Sequence, residues 1–119
     1  MDSDYMIDYE AFQNNFRKTE VSGEECGEMV MKMAGYYARY NVRLSEAIRN
    51  FSRVKSNFQS QIDPSNSKTI STSKAEILAD ATEEAAAYEI ARIHVQNIEQ
   101  YINALKSLQK GILVEYSNS

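Results

Sequence analysis

From Val30 onward the apolar side chains fall at Val30, Met33, Tyr37, Tyr40, Leu44, Ala47, Phe51, Val54 and Phe58, at intervals that alternate between three and four residues. That spacing places all nine on one stripe of a helix through four heptads. A stripe so narrow and so long is buried by another helix lying along it at a shallow angle. Tyr37, Tyr40 and Phe51 are accordingly read as core rather than as ligand contacts. Helix-breaking residues are scarce as well, with 4 Gly and 1 Pro in 119 residues.

The lone proline, Pro64, lies in the polar run from Asp63 to Ser73, which reads as the hinge of a helical hairpin. The helix before it is predicted over about 24–62, with Ser22 and Glu25 as a capping box and with Gly27 and Gly35 weakening its first turns. After the loop at 63–73, Ser73 and Glu76 form a second capping box. From Ala75 to Lys110 there is neither Gly nor Pro, which predicts one uninterrupted helix over about 74–112. At the amino end, Ile7, Ala11, Phe12 and Phe16 follow the candidate caps Ser3 and Asp4 and predict an amphipathic helix over 4–18, broken at Thr19–Gly23. The expected fold is all-α: a single helical domain of 119 residues, with a short helix followed by a long antiparallel hairpin.

The third helix carries two overlapping seams. One runs through Tyr88, Ala91, Val95, Ile98, Ile102 and Leu105, the other through His94, Ile98, Tyr101, Leu105, Leu108 and Ile112. A single hairpin partner covers one of them, so a second copy of the chain is expected on the other. Tyr88, Val95, Ile98, Tyr101, Leu105, Leu108 and Ile112 are the expected interface of a homo-oligomer. His94 is read as a packed histidine.

Little in the chain points to catalysis. One Cys and one His supply neither a disulfide framework nor a conventional zinc site. Cys26 sits among Glu24, Glu25 and Glu28, which suppress a thiolate. Asp80, Glu83 and Glu84 read as solvated carboxylates, and no Gly-rich phosphate loop is present. The expectation is a non-enzyme with no cofactor and no metal. No apolar run approaches the roughly 20 residues of a membrane span, and Asp2 and Asp4 stand where a signal peptide carries cations, so a cytoplasmic protein without membrane contact is expected.

Charge is unevenly distributed. Residues 1–35 hold 3 basic and 8 acidic side chains (net −5), residues 36–74 hold 7 and 2 (net +5), and residues 75–119 hold 3 and 7 (net −4). Within the basic middle, Arg39, Arg43, Arg49 and Arg53 fall within about 120° of one another at 100° per residue, off the apolar stripe, with Glu46 among them. Lys55 lies on the flank of the stripe near Phe58, and Lys68 and Lys74 carry positive charge through the loop. Arginines close to aromatic rings suit a single-stranded nucleic acid, the cations meeting phosphates and the rings stacking bases. A solvated face paired with acidic neighbours explains the same composition.

The run Tyr9-Glu10-Ala11-Phe12-Gln13-Asn14-Asn15-Phe16-Arg17-Lys18, followed by Tyr37-Ala38-Arg39-Tyr40-Asn41-Val42-Arg43-Leu44-Ser45, resembles the front half of phage recombination mediators of the UvsY type. Arg53-Val54-Lys55-Ser56-Asn57-Phe58 is similar to that family's Lys-x-Arg-x-x-Tyr stretch. Residues 77–84 and 101–108 are similar to its Ala-Asp-Glu element and carboxy-terminal helix. Where the family often has an aromatic pair and a Gly after the basic stretch, this chain reads Phe58-Gln59-Ser60-Gln61. The resemblance implies a homo-oligomer that binds single-stranded DNA, with Arg53 and Lys55 in contact with it. It also implies a recombinase and a single-strand-binding protein as partners, and the host cytoplasm as the setting if the chain is phage-encoded. The expected contact set is Arg39, Arg43, Arg49, Arg53, Lys55, Phe58, Lys68 and Lys74. The alternative is a helical-hairpin adaptor or inhibitor that binds proteins and not DNA.

Overall fold

The computed structural model describes residues 3–18 and 20–118. Its elements are α1 (Asp4–Lys18), α2 (Gly23–Gln59), β1 (Ile62–Asp63), β2 (Lys68–Thr69), α3 (Thr72–Asp80) and α4 (Glu83–Asn118). The chain is predominantly helical. The described residues up to Arg39 form one compact unit with those from Val95 onward, and Tyr40–His94 form a second.

In the first unit the start of α2 runs antiparallel to the end of α4. The Gln109 amide donates to the Gly23 carbonyl at 3.0 Å, and the Tyr37 hydroxyl donates to Glu99 at 2.9 Å. Cys26, Met33, Ile98 and Leu105 are buried between these helices, and burial of a side chain as large as Met33, Ile98 or Leu105 stabilises the fold by about 1.5–3 kcal/mol. The Ser22 hydroxyl accepts from the Glu25 amide at 3.1 Å, so α2 starts on the cap that the sequence marks.

α1 spans the predicted 4–18 but buries a different face. Ile7 and Phe16 are 55% and 43% exposed and Ala11 is exposed, whereas Tyr5 is fully buried and Asp8, Tyr9 and Phe12 are half-buried. The tyrosines decide the orientation. Tyr9 stacks on Tyr101 with ring centroids 4.0 Å apart, and Tyr5 meets Tyr101 at 5.9 Å and Tyr36 at 6.3 Å. Between them Asp8 accepts a hydrogen bond from the Tyr36 hydroxyl and forms an ion pair with Lys32 at 3.1 Å. The middle of the second seam, at Tyr101, Leu105 and Leu108, therefore lies against α1 of the same chain. Val95, Ile98 and Leu105, expected to meet a second copy, are buried within the chain, and Tyr101, Leu108 and Ile112 are half-buried.

In the second unit the part of the apolar stripe from Tyr40 onward packs on the first part of α4, antiparallel, with Tyr40 against His94 (5.3 Å) and Phe51 against Tyr88 (5.5 Å). No member of the stripe between Val30 and Phe58 is exposed. α2 stops at Gln59 rather than about 62, because Ile62 and Asp63 pair with Thr69 and Lys68 in a two-residue antiparallel ladder. The expected hinge of the hairpin is thus a short β-ladder closed by a hydrogen-bonded turn. The Asp63 carboxylate accepts from the Ser65 amide (2.9 Å) and hydroxyl (2.7 Å), the Asn66 side chain accepts from the Lys68 amide (2.9 Å), and Ser67 takes a left-handed φ of 56°.

The uninterrupted third helix predicted over 74–112 is two helices. α3 begins at Thr72, capped by Ser71 rather than Ser73, with the Ser71 hydroxyl accepting from the Lys74 amide at 3.2 Å. It ends at Asp80, where the Ala81 and Thr82 amides bond back to Leu78 and Ala79 in a tightened last turn. Thr82 then restarts the helix: its hydroxyl donates to the Ala79 carbonyl (2.6 Å) and accepts from the Ala85 amide (3.3 Å). Glu83 and Glu84 follow in the first turn of α4, where the helix dipole favours acids.

Candidate nucleic-acid interface

Arg43, Arg49 and Arg53 are exposed on α2 in the second unit and span about 15 Å along the axis at 1.5 Å per residue. Arg39, also exposed, belongs to the first unit. Lys68 on β2 and Lys74 on α3 are exposed in the second unit, and Lys55 and Phe58 are half-buried there. Among the described residues the ion pairs are Lys32–Asp8 and Arg92–Glu89, so none of these cations is paired in that way. Lys74 does reach Asp63 electrostatically. The Asp63 carboxyl is held below its ordinary value first by the Ser65 hydroxyl and amide and further by the Lys74 charge.

The rings beside the cations are not open platforms. The Arg39 guanidinium lies 4.6 Å from the Tyr36 ring centre, that of Arg43 lies 4.5 Å from Tyr40, and the Lys55 ammonium lies 4.2 Å from Phe51. Tyr36, Tyr40 and Phe51 are all buried, and the ring face of each that a base could stack on already carries a cation of its own helix. These cation–ring pairs went unread in the sequence, although an aromatic residue three or four positions before each cation marks them. They hold Arg39, Arg43 and Lys55 close to the helix surface and lower the entropy lost on meeting an anion. What this face can do chemically is bind phosphates.

The remaining candidates fall elsewhere. Cys26 is buried, and its thiol is pushed up by that burial and then by Glu25. His94 is half-buried against Tyr40. Among the described residues, no group of three or more His, Cys, Asp or Glu side chains could hold a metal ion, and no helix is long and apolar enough to cross a membrane. The chain matches no protein-family model, no curated protein and no solved structure.

Proposed function

We propose that this chain is a non-catalytic protein that binds single-stranded DNA through its basic middle and serves as a recombination mediator, favouring a recombinase over a competing single-strand-binding protein. The observation that carries the reading is the row Arg43, Arg49 and Arg53 on one face of α2, exposed and without a carboxylate ion pair. Because Tyr40 and Phe51 are buried and Phe58 is half-buried, the contacts are mainly to phosphates, and discrimination between bases is weak. The choice of a single strand and of a recombinase rests on the resemblance to UvsY-type mediators. Several copies along one strand would multiply weak contacts.

A strand-exchange assay on DNA already coated with single-strand-binding protein tests the function. The wild-type protein shortens the lag before filament formation, and the Arg53→Ala, Lys55→Ala double variant does so less. Equal lag times with and without the wild-type protein remove the mediator reading. A protein-binding adaptor is the second reading, favoured by the acidic net charge of residues 1–35 and 75–119.

A further inference from the structure

The first unit holds an open groove of about 1270 Å³ where the end of α1, residues 20–22, the first turn of α2 and the last turns of α4 meet. Its apolar lining is Phe16, Val21, Leu108, Ile112 and Leu113, of which Phe16 and Leu113 are 43% and 57% exposed. Among the described residues its polar lining includes Glu20, Glu24, Glu25 and Glu115 against one cation, Arg17, a net of −3 for these five side chains. The bottom is closed by direct contact. Gln109 bonds to the Gly23 carbonyl, and a Cβ on Gly23 would stand 3.6 Å from Leu113. This concavity is therefore built by packed helices and is larger than the roughly 300–1,000 Å³ of a small-molecule pocket.

Charge narrows the occupant. A nucleic acid would be repelled. A second copy docking groove to groove would set four carboxylates against four, each side at a net of −3, which a self-complementary interface does not tolerate. An apolar trough rimmed by acids fits a helix with one apolar face and cations along both flanks, its side chains entering at i, i+3 or i+4 and i+7. We propose that this groove is the docking site for a Lys/Arg-rich amphipathic helix of a partner protein, with the apolar face of that helix on Phe16, Leu108 and Leu113 and its flanking cations on the four glutamates. The site is independent of the basic face of α2 and does not rest on DNA binding.

The test uses the full chain and fluorescence anisotropy of a labelled peptide of about four helical turns, built from Leu and Lys with the Leu at helical spacing. Controls are the same peptide with Glu for Lys and a scrambled Leu/Lys peptide without an apolar face. The Leu/Lys helix binds and weakens with salt, while the Glu peptide does not bind and the scrambled one binds at least about tenfold more weakly. Glu20→Gln with Glu115→Gln, both at exposed positions, lowers affinity about fivefold or more, and Leu113→Ala also weakens binding. All these variants keep wild-type helicity by circular dichroism and wild-type binding of an oligonucleotide. If Leu113→Ala fails to fold, the glutamate pair decides alone. Equal binding of the scrambled or Glu peptide, or unchanged affinity in the glutamate pair, overturns the proposal. So does a wild-type dimer in sedimentation that Leu113→Ala converts to monomer, because the groove then belongs to a second copy.

Discussion

Replacing Tyr36 by Phe removes one oxygen from the clasp that holds α1 on α2, and the cost follows from the partners of that oxygen. The hydroxyl donates to the Asp8 carboxylate, which also pairs with Lys32. A hydrogen bond to an ionised group contributes about 1.5–3 kcal/mol, and Asp8, with its side chain 26% exposed, belongs at the lower end, about 1.5 kcal/mol. The same bond, with burial behind it, pushes the Tyr36 phenol up to about 12 from 10.0 and, through the Tyr36 hydroxyl first and Lys32 next, holds the Asp8 carboxyl below 3.8. The signs set a pH window. A phenol raised on folding contributes fully below pH 10 and loses its contribution as pH climbs to about 12. A lowered carboxyl contributes above 3.8 and loses its contribution as pH falls through its folded value. Urea denaturation near pH 7 should therefore show Tyr36→Phe less stable by about 1.5 kcal/mol, and the difference should close near pH 12. Tyrosinate absorbance should show a late-titrating phenol among the 8 tyrosines that is missing in the variant. Equal stabilities at neutral pH, or a gap that persists unchanged at alkaline pH, would refute this account of the clasp.

Gly35→Ala and Gly111→Ala should each raise stability by about 0.5–1 kcal/mol in urea titrations, since both sit inside helices and an added Cβ meets nothing within 4 Å. Gly27→Ala should gain less, because its Cβ would lie 3.1 Å from the Gln109 Nε2 that bonds to Gly23. Thr82→Ala should cost about 1 kcal/mol through the lost cap, and a gain in stability instead would mean that α3 and α4 are one helix in solution.

The stripe from Val30 to Phe58 and the Ser22 cap were legible because each is a local pattern with one physical solution. Three features were not, for different reasons. The break between α3 and α4 contains neither Gly nor Pro. Its marks are Thr82 followed by Glu83 and Glu84, a helix start in the middle of a helix-compatible run. The buried face of α1 was misread because Ile7 and Phe16 outweigh tyrosine on a hydrophobic scale. What orients α1 is Tyr5 and Tyr9, one turn apart on either side of Asp8, whose charge is met by Lys32 and Tyr36 from α2. For the same reason the sequence did not show that α1 supplies Tyr9 to Tyr101, on the seam of α4 expected to meet another copy. On the candidate interface the arginines were legible from charge and angle. That their neighbouring rings are core, and closed to bases, depends on tertiary burial.

The claim that α2 carries a phosphate-binding face is tested most directly by the salt dependence of oligo(dT) binding, measured by anisotropy for the wild type and for Arg43→Ala, Arg49→Ala, Arg53→Ala together. Each phosphate contact on a single strand contributes a slope of about −0.7 in log K against log salt, so losing three should make the slope shallower by about 2. Weaker binding with that shallower slope and unchanged helicity is the predicted result. Wild-type binding that is absent, or that keeps the same slope after all three arginines are removed, would contradict it.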